Sequence, residues 1–515
     1  MAPAVRSRLR IVDSWRAHVL CLALACLLAA ASAVRANDRS LAGVGATLPR
    51  SADLVIAIRN ASTQRQSPAG VSAAAMLMAF SDFDGTAGAW RELSDRLELD
   101  PASAFDELLG RRVLLIAKDF DDPERRQWAV ITEITARTEL SLRLRLKPAP
   151  RSVQNGLPIL ALEQGRIELV TAPFEQGSIA LMAPSSSREL LEQLLPTIRR
   201  QPRTDPLSAD PVFAALAPTT DADIALFVRT SASEGVTLAA TARPGGWDAK
   251  VAATPTLVGQ WLSLPAGSDR PLFPPVDVID DGAMLAVAGR SPTLLRLLLG
   301  SLMDGVFEAE SPSLVAATRN RGTGRPSLII AQPVDPSIST TAIDRTIADR
   351  LAPTKASGSL FSPPRSDAPP TLAGLYPGTV RLQRVDPDQL GPLSVAFGEK
   401  PRLAWLHQQG PRPWLIGRLN GIGDEATLSL LANQLDRRRI ERDDRLPATA
   451  GWIRPRELFA IVPTGTIPPA LMPFERVKRF GWSMIAEPDQ PVRGTVRLDL
   501  MTDHTTDRQI NPETP

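Results

Sequence analysis

SIALMAPSSSRELLEQLLPTI, residues 178–198, contains both kinds of element from which this chain is built. Its first residues are apolar and end in a polar turn, which is typical of a short strand. Ser186 and Glu189 have the spacing of a capping box, and leucines three and four residues apart give the next helix one apolar face. Such a face packs most simply on the sheet to which the strand belongs. The stretch therefore predicts an α+β fold.

The same plan recurs at AMLAVAGRSPTLLRLLLGSLM (283–303) and PWLIGRLNGIGDEATLSLLANQL (413–435). Other apolar runs bounded by Pro, Gly or Asp are typical of antiparallel strands, and VTLAATARPGGWDAKVAAT (236–254) predicts a hairpin. SLRLRLK (141–147) alternates strictly, which predicts a strand with its leucines in a core and its basic residues in water. We therefore expect mainly antiparallel sheets with packed amphipathic helices, arranged as repeated strand-turn-helix modules.

Clusters of Pro, Gly and polar residues divide the chain into six segments. The length that remains when a signal peptide is removed suggests about three domains. We predict a signal peptide at 1–36, α+β units at 37–200, 201–335 and 371–501, a Pro- and Ser-rich loop or linker at 336–370, and a polar tail at 502–515.

The segment 1–36 has the layout of a secretory signal. Arginines precede an unbroken apolar run at 19–33, and small residues suited to cleavage end at Ala33 and Ala36. The run is short for a membrane span, although an uncleaved segment would act as an anchor. We expect export to the periplasm or the extracellular space, with membrane contact only if the segment is retained.

Composition excludes several classes of protein. Without residues 1–36, the 58 basic and 56 acidic residues of the chain become 53 and 55, which gives no basic face for nucleic acid. Cys21 and Cys26 lie in the signal, so the mature chain would hold no disulfide, thiolate nucleophile or cysteine-bound metal. His407 has no second histidine nearby for zinc and no G-x-S-x-G elbow for a triad. We predict a histidine at a strand end or on the surface rather than a catalytic one.

SDFDGT, residues 81–86, is the sharpest catalytic candidate, because it resembles the nucleophile loop of haloacid-dehalogenase-type phosphatases. The resemblance would make Asp82 the nucleophile and Asp84 the general acid or base, with Mg²⁺ screening the phosphate charge. It would complete the site with Lys250, Asp280 and Asp281.

Four features of the sequence oppose this phosphatase. The preceding AAAMLMAF (73–80) favours a helix over a buried strand, Lys250 falls in the predicted hairpin, and strands do not alternate with helices as in a doubly wound sheet. The Ser or Thr expected after the next strand is missing, since RVLLIAK (112–118) ends in Ala117 and Lys118. A second acidic group, Asp119, Asp121 and Asp122, could bind Ca²⁺ but lacks the glycine and distal Glu of a calcium loop. We favour a solvated hairpin turn there.

A Leu-Pro-x-x-Ala-Asp phrase occupies residues 48–53, Trp90 opens a later helix, and Leu-Leu-Gly at 108–110 precedes a strand. In these features the chain resembles large secreted bacterial cell-envelope proteins of unknown function, over roughly residues 1–300. The resemblance implies a cell-envelope protein and carries over no functional residues.

The leading hypothesis is an exported cell-envelope protein that binds or scaffolds a partner, such as another envelope protein, without enzymatic activity. We assign no catalytic, cofactor-binding or metal-binding residue and expect no cofactor. The alternative is a Mg²⁺-dependent phosphatase that uses Asp82 and Asp84.

Overall fold

The computed structural model describes residues 41–66, residues 94–259 with short gaps, and separate segments between 276 and 501. The chain divides into two compact units, which we call unit 1 (Met1–Leu257 with Thr495–Pro515) and unit 2 (Val258–Gly494). The boundaries predicted at residues 200 and 335 fall inside these units. The predicted signal peptide and polar tail lie outside the described residues.

Unit 1 contains a large antiparallel sheet. Its strands are β1 (Leu54–Ile58), β2 (Val113–Lys118), β3 (Gln127–Thr135), β4 (Ala149–Gln154), β5 (Leu157–Leu162), β6 (Ile167–Phe174), β7 (Gly177–Pro184), β8 (Ile224–Arg229), β9 (Gly235–Arg243) and β10 (Gly246–Ala253). They pair in the order β4-β5-β6-β7-β3-β2-β1-β8-β9-β10, and every pair is antiparallel. The first of the described strands, β1, therefore lies inside the sheet, between β2 and β8.

Helices cover both faces of this sheet. The described helices up to the boundary with unit 2 are α1 (Leu41–Gly45), α2 (Ala61–Gln66), α3 (Pro101–Leu109), α4 (Ala136–Leu146), α5 (Arg188–Ile198), α6 (Pro211–Leu216) and α7 (Pro255–Gly259). On one face, leucines of α5 pack with α1, α6 and alternate residues of the strands, and Phe213 meets Phe227 edge to face at 4.9 Å. On the other face, α3 and α4 pack on Ile134, Leu160 and Leu169.

The strand-turn-helix predicted at 178–198 is present as β7, a 3₁₀ turn at Ser185–Ser187 and α5. Its start differs from the predicted capping box. The Ser187 hydroxyl accepts the Trp128 N–H at 3.0 Å, and the side-chain carbonyl of Gln127 accepts the Leu190 N–H at 3.0 Å. Strand β3 thus supplies the cap, because the helix begins against the sheet.

The prediction of a strand at SLRLRLK (141–147) is wrong, because helix α4 extends through this stretch to Leu146. The Thr135 hydroxyl accepts the Thr138 N–H at 3.0 Å and starts the helix. Leu142 is 3% exposed, whereas Leu140 and Leu144 are 56% and 64% exposed. One leucine faces the core and two face solvent, as helical spacing requires.

Unit 2 also contains an antiparallel sheet. Its strands are β11 (Leu285–Gly289), β12 (Ser313–Arg319), β13 (Pro326–Pro333), β14 (Thr371–Leu372), β15 (Val380–Arg384), β16 (Arg402–Gln408), β17 (Trp414–Leu419), β18 (Thr449–Ile453) and β19 (Val477–Ile485). The last described strand, β20 (Val492–Leu500), begins in unit 2 and continues into the C-terminal segment of unit 1. The order is β14-β15-β16-β17-β13-β12-β11-β18-β19, again antiparallel throughout.

The helices of unit 2 are α8 (Thr340–Leu351), α9 (residues 428–435) and α10 (Pro455–Phe459). Ile343 and Ile347 of α8 pack on one face of the sheet, and the leucines of α9 pack on the other. Helix α8 falls in the segment predicted as a loop or linker, where Ser339 caps its first turn through the Ala342 N–H at 3.2 Å. None of the described helices combines the length and apolar character needed to cross a membrane.

Candidate functional site

A half-open cavity of about 340 Å³ lies in unit 1, between the sheet and helices α1 and α5. Leu114, Ile131 and Ile179 form its floor from the neighbouring strands β2, β3 and β7. Val44 of α1 and Ile198 of α5 cover it. The interior is therefore apolar on both sides.

The rim of the cavity is polar and carries three charged residues, Arg112, Glu133 and Arg200. Arg112 and Glu133 are cross-strand neighbours, and the Glu133 N–H donates to the Arg112 carbonyl at 3.1 Å. Arg200 follows α5 with a φ of 56° in the left-handed region, and its guanidinium lies 4.1 Å from the centroid of the Phe174 ring. This geometry is a cation–π contact at the cavity mouth.

Two threonines hold the helices that cover the cavity. The Thr197 hydroxyl donates to the Thr47 carbonyl at 2.7 Å, and the Thr47 hydroxyl donates to the Val44 carbonyl at 3.0 Å. A Cβ on Gly45 would collide with the Phe213 ring, so glycine permits the close approach of α1. These contacts fix the cover of the cavity against the sheet.

A buried carboxylate, Glu168 on β6, lies on the same face of the sheet near the start of α5. Its Oε1 is 2.9 Å from Arg151 Nη1 and 3.7 Å from Arg188 Nη1, while its Oε2 has no hydrogen-bond partner among the described residues. The hydrogen bond to Glu192, and then the charge of Glu168, raise the pKa of Arg188. The cluster joins β4, β6 and α5 by charge and does not line the cavity.

A second polar cluster attaches α4 to the opposite face. Glu139 accepts hydrogen bonds from Ser178, from Arg143 at 2.8 Å and from Thr171 at 3.0 Å. Partial burial raises the pKa of Glu139, but these three donors outweigh it and lower the pKa. The carboxylate thus remains an anion that anchors the helix.

The Leu-Pro-x-x-Ala-Asp motif at residues 48–53 has a structural explanation. Leu48 and Ala52 are fully buried. Asp53 lies 3.2 Å from Arg229 Nη1 and accepts the Asp119 N–H at 2.8 Å. Arg229 also lies 3.1 Å from Asp210, which caps α6. The motif therefore joins β1, β8 and α6 through one arginine.

Of the residues named in the phosphatase hypothesis, Lys250 is the one that lies in the described part of the chain. Asp82, Asp84, Asp280 and Asp281 lie outside the described residues, and Lys250 is an exposed residue of β10.

The acidic group after β2 has the features of a hairpin turn. Asp119 has a φ of 50°, and Asp122 lies 3.7 Å from Arg125, while Asp121 lies outside the described residues. Over the described segments, no group of three His, Cys, Asp or Glu side chains is placed to hold a metal ion.

His407 lies one residue before the end of β16, which agrees with the predicted strand-end position, but it is a buried core residue and does not lie on the surface. It is 6% exposed on β16, and its Nδ1 lies 2.7 Å from the Thr340 hydroxyl of α8. Its Nε2 has no hydrogen-bond partner among the described residues. Burial lowers the pKa of His407, and the charge of Asp344 opposes this only in part. The imidazole joins α8 to the sheet of unit 2.

The cavity was missed by the sequence analysis because its charged residues are far apart in the chain. Arg112, Glu133 and Arg200 share no motif, and only the pairing of β2 with β3 and the position of α5 bring them together.

Comparisons with known proteins find little. No family model matches the chain, and no curated protein matches it. Two crystal forms of TP0453 from Treponema have a TM-score of 0.23. Form IV is 11% identical over 44% of this chain and 88% of that chain, and form I is 12% identical over 46% and 90%. The similarity is too weak to assign this chain to a family.

Proposed function

We propose that the protein is an exported, non-enzymatic binding protein of the cell envelope and that the unit 1 cavity is its binding site. The observation that carries the proposal is the apolar cavity with a charged rim. Ligand sites typically combine mostly apolar walls with a few polar groups that orient the ligand.

The polar clusters of unit 1 support a binding role over a catalytic one. Glu139, Glu168 and Asp53 each hold a helix or strand in place through arginine or hydroxyl partners. The hydroxyl groups of Thr47, Thr132 and Thr197, which line the cavity, each donate to a backbone carbonyl and not to a general base.

Binding can be tested on the full mature chain with a small neutral fluorescent probe, N-phenyl-1-naphthylamine. We expect bound-probe fluorescence in the wild type and its loss in Ile179→Trp, which fills the cavity from β7. The matched control Val153→Trp adds the same ring at a 70% exposed position of β4 and should retain the signal. Equal probe binding by both variants would show that the cavity is not the site.

Export rests on the signal-like segment 1–36. N-terminal sequencing of the protein from fractionated cells should find Val34 or Asn37 in the periplasm or medium. An N-terminus at Met1 or Ala2 in the membrane fraction would support an anchored protein instead.

A scaffolding role would require the protein to bind another envelope protein. Mild cross-linking of the C-terminally tagged mature chain in its own cell envelope should capture one stoichiometric envelope protein. A free monomer throughout would count against scaffolding and leave small-molecule binding as the function.

We also infer that units 1 and 2 are copies of one fold. The order in which the strands pair supports a repeat of the whole unit. The order β4-β5-β6-β7-β3-β2-β1-β8-β9 of unit 1 becomes the order of unit 2 when ten is added to each strand number. The helices correspond as well. In unit 1, α4 follows β3 and α5 follows β7, and in unit 2, α8 follows β13 and α9 follows β17.

Backbone hydrogen bonds support this correspondence. The Arg229 N–H donates to the Asp53 carbonyl at 2.7 Å in unit 1, and the Arg454 N–H donates to the Met284 carbonyl at 2.8 Å in unit 2. Native-state hydrogen exchange on the full chain provides the test. We expect the slowest amides in β1 and β2 and in β11 and β12, which are interior strands of the two sheets. Fast exchange in one of these pairs would contradict the inference.

The Mg²⁺-dependent phosphatase remains the alternative that the sequence raised. Hydrolysis of a generic phosphate ester that disappears in Asp82→Asn would establish it.

A further inference from the structure

The hydrogen-bond donors at the cavity rim are mainly guanidinium groups. Thr47 and Thr197 already donate their hydroxyl protons to carbonyls in the seam between α1 and α5. Thr132 donates its proton to the Leu108 carbonyl at 2.7 Å. A ligand that enters the cavity therefore meets the guanidinium group of Arg200. Together with Arg112 and the single carboxylate of Glu133, it gives the rim one net positive charge.

Arg200 is held in an orientation suited to an anion. Its N–H donates to the Thr197 carbonyl at 3.1 Å, which fixes its backbone just after α5. Its guanidinium lies over the Phe174 ring, so one planar face is covered by the aromatic side chain. Stacking leaves the edge of the guanidinium, with its N–H donors, for a planar two-oxygen acceptor such as a carboxylate.

The apolar floor and the volume of the cavity indicate the chemistry and size of the part of the ligand that lies below the rim. Leu114, Ile131 and Ile179 are 8–9% exposed, while Leu181 beside them is fully buried under α5, so the floor side chains keep a small accessible area. An apolar chain laid on them would gain about 25 cal/mol for each Å² of apolar surface removed from water. The volume of about 340 Å³ lies near the lower end of ligand sites, which run from about 300 to 1,000 Å³.

We propose that the unit 1 cavity binds a single-chain aliphatic carboxylate, with its head at Arg200 and its chain on Leu114, Ile131 and Ile179. The small volume favours one chain over a two-chain lipid. This inference rests on the proposed binding function and adds the class of ligand.

The head group is tested by displacement of N-phenyl-1-naphthylamine from the full mature chain, below the micellar concentration of each competitor. We expect decanoate to displace the probe, decanol to be about tenfold weaker or more, and decyltrimethylammonium to be weaker still. Acetate, which has the head without the chain, should not displace the probe.

Two variants separate the head-group contact from general damage to the fold. Arg200→Gln should weaken decanoate about tenfold or more and leave decanol unchanged, because only the carboxylate uses the guanidinium. The matched control Arg199→Gln removes the neighbouring charge, which does not line the cavity, and should leave both affinities unchanged.

The outcomes distinguish the two proposals. Probe binding with decanol equal to or better than decanoate, or an unchanged decanoate affinity in Arg200→Gln, would overturn the carboxylate and leave the binding function standing. No probe binding by the folded wild-type chain would overturn both.

Discussion

Helix α4 gives a sharp test of the fold, because the alternating sequence SLRLRLK predicts a strand and the structure contains a helix. Leu142 is 3% exposed and packs with Leu108, Ile134 and Leu169 under α4. Removing a buried leucine side chain costs about 2.7–5.0 kcal/mol, and a site on a surface helix can partly collapse, so we expect about 3 kcal/mol for Leu142→Ala. Leu144 is 64% exposed, so Leu144→Ala should change stability by less than about 0.5 kcal/mol.

Differential scanning calorimetry of the full chain measures both variants. For a unit of this size, about 3 kcal/mol corresponds to a fall in Tm of roughly 6–12 °C. We expect that fall in one transition for Leu142→Ala and no resolvable shift for Leu144→Ala. A strand would place both leucines on the core face. Equal losses for the two variants would therefore refute the helix and restore the alternating strand.

Two further changes test other parts of the molecule. Asp53→Ala removes the ion pair with Arg229 and the acceptor of the Asp119 N–H, so urea unfolding should show a loss of about 1–3 kcal/mol. The control Asp205→Ala, at a largely exposed carboxylate, should stay within about 0.5 kcal/mol, and equal losses would contradict the role of Asp53. His407 has a lowered pKa in the folded chain, so the unfolded chain takes up the proton first. Stability of unit 2 should be constant above about pH 6.5 and should fall as pH drops from there towards the folded pKa. Urea unfolding of His407→Gln should lack this fall, and an identical pH dependence in both proteins would exclude His407 as its source.

The sequence analysis was most successful where local pattern and tertiary packing agree. The stretch 178–198 forms a strand, a turn and a helix, because its leucines match both the helical period and the sheet face that they cover. It failed at 141–147, where Thr135 caps a helix and Glu139 bonds to Thr171 and Ser178 on strands more than 30 residues away. Alternation of leucine and arginine carries no information about those partners.

Part of the segment predicted as a loop or linker is helical for a related reason. The Pro- and Ser-rich composition is confined to residues 353–370, whereas Ser339, Ile343 and Ile347 have the spacing of a capped amphipathic helix. The cavity could not be predicted at all, because Arg112, Glu133 and Arg200 meet only through strand pairing and helix placement.

The position of β1 inside its sheet sets the order in which unit 1 can fold. Leu54 pairs with Ala117 on one side and with Val228 on the other, a partner 174 residues further along the chain. Closing so long a loop is slow, since the chain entropy is lost before the strand contacts form. The interior strand therefore stays half paired until β8 has been made and released. The sheet of unit 1 therefore closes around β1 only when the chain as far as Arg229, the last residue of β8, is available.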